Sequence, residues 1–151
     1  MRTVFKYSLL ALIVATFSFI YVNSMLPPAV SSEGSGRVAA LIAMIFPADS
    51  ALGNFLVSNV RKIAHFAEYA ALGTEIAIYV NFCVQNREKW LKISAISGFF
   101  FAFADETIQI FSGRGPSVAD VWLDSFGYYS FFCAVCLLVV VIRKIKASRE
   151  K

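Results

Sequence analysis

Four long apolar runs, separated by short polar connections, fill most of a chain of 151 residues. They fall at residues 4–25, 62–83, 91–111 and 118–142. Each is about as long as the ~20-residue helix that crosses a hydrocarbon core of about 30 Å. In lipid, backbone polar groups must be satisfied within the segment, so such runs are expected to be helices. The expected fold is all-α: a polytopic membrane protein with four transmembrane helices. Charged residues make up only 16% of the chain and hydrophobic ones 58%, whereas soluble domains carry about a quarter charged. The length allows a single membrane domain over residues 1–151, with no separate soluble domain. The 15 phenylalanines suit packing against lipid tails.

Basic residues precede the first run, as in a secretory signal peptide. The run is long for one and further spans follow, so an uncleaved first helix is expected, ended by Pro27 and Pro28. Residues 29–60 form a long connection. Ser31, Ser32, Gly34, Ser35 and Gly36 predict a flexible start to it. Residues 37–46 then form a short interfacial or re-entrant helix, closed by Pro47. A tight loop, Ser112-Gly113-Arg114-Gly115-Pro116-Ser117, joins the last two runs.

The net charge of +4 sits in flanks beside the apolar runs. It therefore reads as a topology signal, and no nucleic-acid partner is expected. Ten Lys and Arg residues fall at the two termini and in the loop around Arg87, Lys89 and Lys92. The other side holds Arg37, Arg61, Lys62 and Arg114. The positive-inside rule then places both termini in the cytoplasm. Cys83, Cys133 and Cys136 all lie in apolar segments. They are expected to be packing residues with no disulfide framework, and the Cys133-x-x-Cys136 spacing has no His or further Cys beside it.

Six acidic residues interrupt the apolar segments: Glu68, Glu75, Asp105, Glu106, Asp120 and Asp124. A charge at the membrane centre costs roughly 2.5–3.5 kcal/mol on insertion scales, so anchoring alone does not explain six. The topology puts most of them at one depth. Lys62, His65, Glu68 and Tyr69 begin the second segment from the outside; Asp105, Glu106 and Gln109 end the third; Asp120 and Asp124 begin the fourth; Arg114 lies between. Helical phase groups them into stripes that should face the bundle interior, with Lys62, His65, Glu68, Tyr69 and Glu75 on one side of the second segment. Lys62 and Arg114 are placed to neutralise two of the carboxylates, with His65 bonding another. That leaves an acidic surplus, which calls for protonation, a bound cation or a water-filled cavity. With one His, a multi-His metal site is excluded, while a carboxylate-rich divalent cation site is allowed. Arg114 stands in Gly113-Arg114-Gly115, where glycines let backbone approach a ligand and Arg suits phosphate or carboxylate. The alternative is an interfacial Arg reaching to headgroups. No Gly-rich phosphate loop, GxSxG or Ser-His-Asp spacing is present in the sequence.

Residues 61–73, Arg-Lys-Ile-Ala-His-Phe-Ala-Glu-Tyr-Ala-Ala-Leu-Gly, resemble the first motif of the VanZ-like family. Asp105-Glu106-Thr107-Ile108-Gln109, followed by Arg114, Ser117, Asp120 and Gly127, resembles the second. The resemblance covers roughly residues 60–131, and the four-helix layout extends it. Asp124 stands where many members carry Asn, and Phe131 where Gly often stands. The resemblance implies a bacterial cytoplasmic membrane protein of a family associated with low-level teicoplanin resistance in Gram-positive bacteria. It supplies no biochemical activity.

Three functions are compatible with this pattern. The first is engagement of a cell-envelope component or antibiotic at the outer polar site. Arg114 and Lys62 would contact an anionic group such as the phosphate of a lipid-linked cell-wall precursor, or the partner would be a glycopeptide. The second is a hydrolase or transferase acting on such a precursor, with Asp105, Glu106 and Asp120 as general base or cation ligands and His65 as acid. The third is a small proton- or cation-coupled transporter centred on Glu75.

Overall fold

Pro27 and Pro28 set the first corner of the chain. In the computed structural model, which describes residues 2–47, 50–115 and 117–150, helix α1 spans Arg2–Met25 and stops just before them. Proline at a helix start forgoes only an amide that would have had no partner, and Pro28 begins α2, Pro28–Ile45. The flexible start expected over residues 31–36 is therefore helical. The serines there bond back to the preceding turn, Ser32 Oγ to the carbonyl of Ala29 at 2.8 Å and Ser35 Oγ to that of Ser31 at 3.0 Å. Glu33 and Arg37 add an i,i+4 pair at 2.7 Å. The short helix expected at 37–46 is the second half of this longer one.

Ser50 caps α3, Ala51–Phe82, its side chain accepting from the amide of Gly53. The helix thus begins eleven residues before Lys62, where the apolar run was expected to open it. Asn86 caps α4, Arg87–Phe111, and Ser117 caps α5, Val118–Arg149. Helix α5 runs past the expected end at 142, carrying the basic tail; 32 residues make a rod of about 48 Å. No strand occurs among the described residues. Pro116 of the tight loop and Lys151 of the tail lie outside them.

Two helices are long and apolar enough to cross a membrane, Thr3–Met25 and Val118–Arg149. Helix α4 is broken by polar residues but exposes Ile93, Ile96, Phe99, Phe100, Phe103, Ile110 and Phe111. So continuous an apolar exterior is foreign to a water-soluble surface.

Helix α3 is the hub, packing on all four others, and its largest contact is with α5. Two glycines make that contact close. A Cβ on Gly73 would collide with the backbone carbonyl of Tyr128, and one on Gly127 would lie 2.6 Å from the carbonyl oxygen of Phe66. Small residues let helix backbones approach in this way where lipid supplies no hydrophobic drive. Beside them lies the core, with Tyr69, Leu72, Tyr128, Phe132, Ile20 and Ala102. Helix α2 buries no residue and lies against α3 as an outer wall. Phe131 is half exposed and touches the ring of Phe66 edge-on. Cys133 is exposed and does not pack in the core, while Cys136 accepts from Asn81 Nδ2 at 3.4 Å; all three cysteines are free.

Candidate functional site

Helix α4 ends in a Schellman motif. The amide of Gly113 donates to the carbonyl of Ile110 at 3.2 Å, and that of Arg114 to the carbonyl of Gln109 at 3.0 Å. Gly113 takes φ +78°, which a side chain would strain. The turn points Arg114 back into the bundle, where it is 7% exposed and its Nη2 donates to the carbonyl of Asn23 on α1 at 3.0 Å. Gly113 therefore serves to aim the arginine, and of these two loop glycines it is Gly115 that lines a cavity. Arg114 is neither an interfacial side chain nor the partner of a carboxylate, since its described bond is to a carbonyl. Burial first, and the nearby Arg61 charge second, weaken its hold on a proton; Asp105 and Glu106 oppose them. A guanidinium stays charged regardless.

Below this turn the acidic groups converge. Asp105, Glu106 and Gln109 on α4 and Asp124 on α5 are all buried. Gln109 Nε2 donates to Asp105 Oδ2 and Glu106 Oε1, both at 3.1 Å, while its Oε1 accepts from Arg61 Nη2 at 2.8 Å. Glu106 Oε2 accepts from the amide of Ser117 at 3.0 Å, tying the end of α4 to the start of α5. His65 Nδ1 lies 3.8 Å from Asp105 Oδ2 and 3.9 Å from Asp124 Oδ2. These exceed hydrogen-bond length, so the bond expected from His65 to a carboxylate is not made. One ligand atom from each of the three residues lies within 4.8 Å of the others, making them the group placed to hold a metal ion.

Two cavities meet here. A polar one of about 200 Å³ is lined by Lys62, Glu106, Gln109, Asp120 and Asp124, with Arg61 and His65. An apolar one of about 460 Å³ lies between α1, α2 and α3, walled by Phe19, Leu26, Val38, Ile42, Leu56 and Ile63. Its polar end holds Arg61, His65, Glu68 and Arg114. Arg61 and His65 line both. The stripe expected on one side of the second segment is thus divided. Lys62 faces the polar cavity and makes no carboxylate pair among the described residues; Glu68 faces the apolar one. Tyr69 is buried, donating to the carbonyl of Phe101 at 3.2 Å, a bond shared with Tyr21. Glu75 lies apart, accepting from Thr16 Oγ1 at 2.9 Å.

The family described as VanZ/LLP1 matches residues 8–142. The chain belongs to this family. With its two apolar helices it is a VanZ-like membrane protein. The VanZ/LLP1 match takes in every element of the site, from α1 through about the first three-quarters of α5. No curated protein and no solved structure matches the chain.

Arg61 is the residue that the polar-site expectation missed. It opens the first motif and reads as a topology charge, yet it lines both cavities. The carbonyl of Asn23 that holds Arg114 is a backbone group, which side-chain patterns do not reveal; Ser117, present in the second motif, adds its amide to Glu106 and its side chain to the cap of α5.

Proposed function

We propose that this protein binds an anionic, lipid-linked component of the bacterial cell envelope at an outward-facing site. The observation that carries the reading is the meeting of a polar and an apolar cavity at Arg61 and His65. An amphiphile fits that shape, with its phosphate at the guanidiniums of Arg61 and Arg114 and its hydrocarbon chain between α1, α2 and α3. The Arg61 guanidinium is close enough for its charge to be felt at Arg114. Like charges held in a partly buried site favour an anion between them. The apolar groove adds position more than energy, because a lipid tail gains little by leaving other tails.

In this reading all four apolar runs span the cytoplasmic membrane of a bacterium and both termini are cytoplasmic. The exposed apolar flank of α4 and the basic end of α5 support it. Shielding or removing a lipid-linked precursor at this face is a route to low-level teicoplanin or lipoglycopeptide resistance. The test is susceptibility of a sensitive Gram-positive host carrying wild type, Arg114→Ala or empty vector. Teicoplanin-selective protection that Arg114→Ala loses supports the reading; protection untouched by Arg114→Ala opposes it.

A second reading is a hydrolase or transferase acting on the same class of substrate. The convergence of His65, Asp105 and Asp124 beside the guanidiniums favours it. Turnover of a polyprenyl phosphate or diphosphate by purified protein, lost in Asp105→Asn, separates catalysis from binding.

A further inference from the structure

We propose that His65, Asp105 and Asp124 form a binding site for one divalent transition-metal cation, of the Mn2+ or Zn2+ type. Three helices supply the three side chains, and their nearest ligand atoms lie within 4.8 Å of one another. The separations of 3.8 and 3.9 Å from His65 Nδ1 to the two carboxylates are too long for hydrogen bonds. These two separations suit atoms that share an ion, and the third pair, within 4.8 Å, must draw in slightly around it. Two ligands held at ~2.1 Å from one cation lie roughly 3.0 to 4.2 Å apart, depending on the angle between them.

Asp124 gives the independent sign. It is 1% exposed, and neither carboxylate oxygen has a hydrogen-bond partner among the described residues. His65 Nδ1 is also buried without one. A buried carboxylate with both oxygens unbonded is costly unless something positive meets it. No guanidinium does so here: Arg61 is engaged by Gln109 and Arg114 by Asn23. Two carboxylates and one imidazole instead match a divalent charge.

The surroundings resemble those of built metal sites. Asp105 Oδ2, the oxygen facing His65, also accepts from Gln109, which Arg61 holds in turn. Outer hydrogen bonds of this kind fix the direction of a ligand. The polar cavity reaches His65 and Asp124, giving the ion an entry and room for water ligands. Imidazole disfavours Ca2+, and two carboxylates disfavour Cu(I), leaving Mn2+ and Zn2+ as the best match. The inference stands without the lipid reading.

The test is metal content and metal binding of the full chain in lipid nanodiscs, stripped with chelator and then titrated with Mn2+, Zn2+ or Mg2+. Bound metal is read by mass spectrometry of the elements, and Mn2+ also by its electron paramagnetic resonance. Wild type is expected to bind roughly one equivalent of Mn2+ or Zn2+ per chain. Asp124→Asn should weaken that by at least about 10-fold, and Asp124→Ala and His65→Ala more. Glu75→Gln, a remote acid, should bind as wild type. Failure of wild type to take up either metal, or equal binding by the Asp124 and His65 variants, overturns the proposal. Asp105→Asn guards against a folding defect peculiar to position 124, since it must show the same loss.

Discussion

His65 on α3 and Asp124 on α5 face each other with Nδ1 and Oδ2 3.9 Å apart. Their separation depends on how closely the two helices lie, and Gly73 and Gly127 set that approach. The site is therefore coupled to a packing feature, with Gly73 about two turns along α3 from His65.

Gly73→Ala should destabilise the bundle by about 1–3 kcal/mol or more, because its Cβ meets the backbone of Tyr128 and not a movable side chain. Gly36→Ala, where a Cβ meets nothing within 4 Å, should be neutral or slightly stabilising. Thermal melting of the two variants in detergent checks the contrast. Equal midpoints would mean that the α3–α5 contact is looser than described.

Gly34→Phe should block the apolar cavity without unfolding the protein. Gly34 lines that cavity, and a Cβ there meets nothing within 4 Å. Affinity for a long-chain polyprenyl phosphate should fall by about 10-fold, a loss of about 1.4 kcal/mol. Short-chain phosphate esters should bind the variant and wild type alike. An unchanged long-chain affinity would remove the groove from the account.

Orientation is testable in intact cells. On a cysteine-free background, Ser58→Cys on α3 should react with a membrane-impermeant maleimide from outside. Ser148→Cys, near the end of α5, should react only after lysis. Both positions are exposed in the fold. The opposite labelling pattern would turn the site toward the cytoplasm.

Removing Gln109 should disturb both carboxylates at once. It bonds Asp105, Glu106 and Arg61 together. Gln109→Leu leaves two buried carboxylates, Asp105 and Glu106, each short of a partner, at roughly 1–3 kcal/mol apiece. A melting midpoint equal to that of wild type would show that these groups find other partners.

Much of this architecture was legible in the sequence because apolar length and helical phase are strong local signals. Helices cover all four apolar runs, and the fold brings Asp105 and Asp124 together around His65, with Gln109 bonded to Asp105. What escaped was governed by longer-range effects. Residues 31–36 look flexible by composition, yet serine hydroxyls bonding to the preceding turn carry α2 through them. Gly113 reads as a ligand-approach glycine, whereas its left-handed φ closes a Schellman motif. Arg61 reads as a topology charge. Only the placement of Gln109 across the α3–α4 contact shows it as part of the site.

With the phosphate of a lipid-linked ligand held by Arg61 and Arg114, as proposed, binding itself should depend on both guanidiniums. Native mass spectrometry of the purified protein with a polyprenyl phosphate should give a stoichiometric complex. Arg61→Ala and Arg114→Ala should each weaken it by roughly 10- to 100-fold, the worth of a charge-assisted bond, with Arg114→Lys between. Equal affinity of wild type and both alanine variants would mean that neither arginine holds the phosphate.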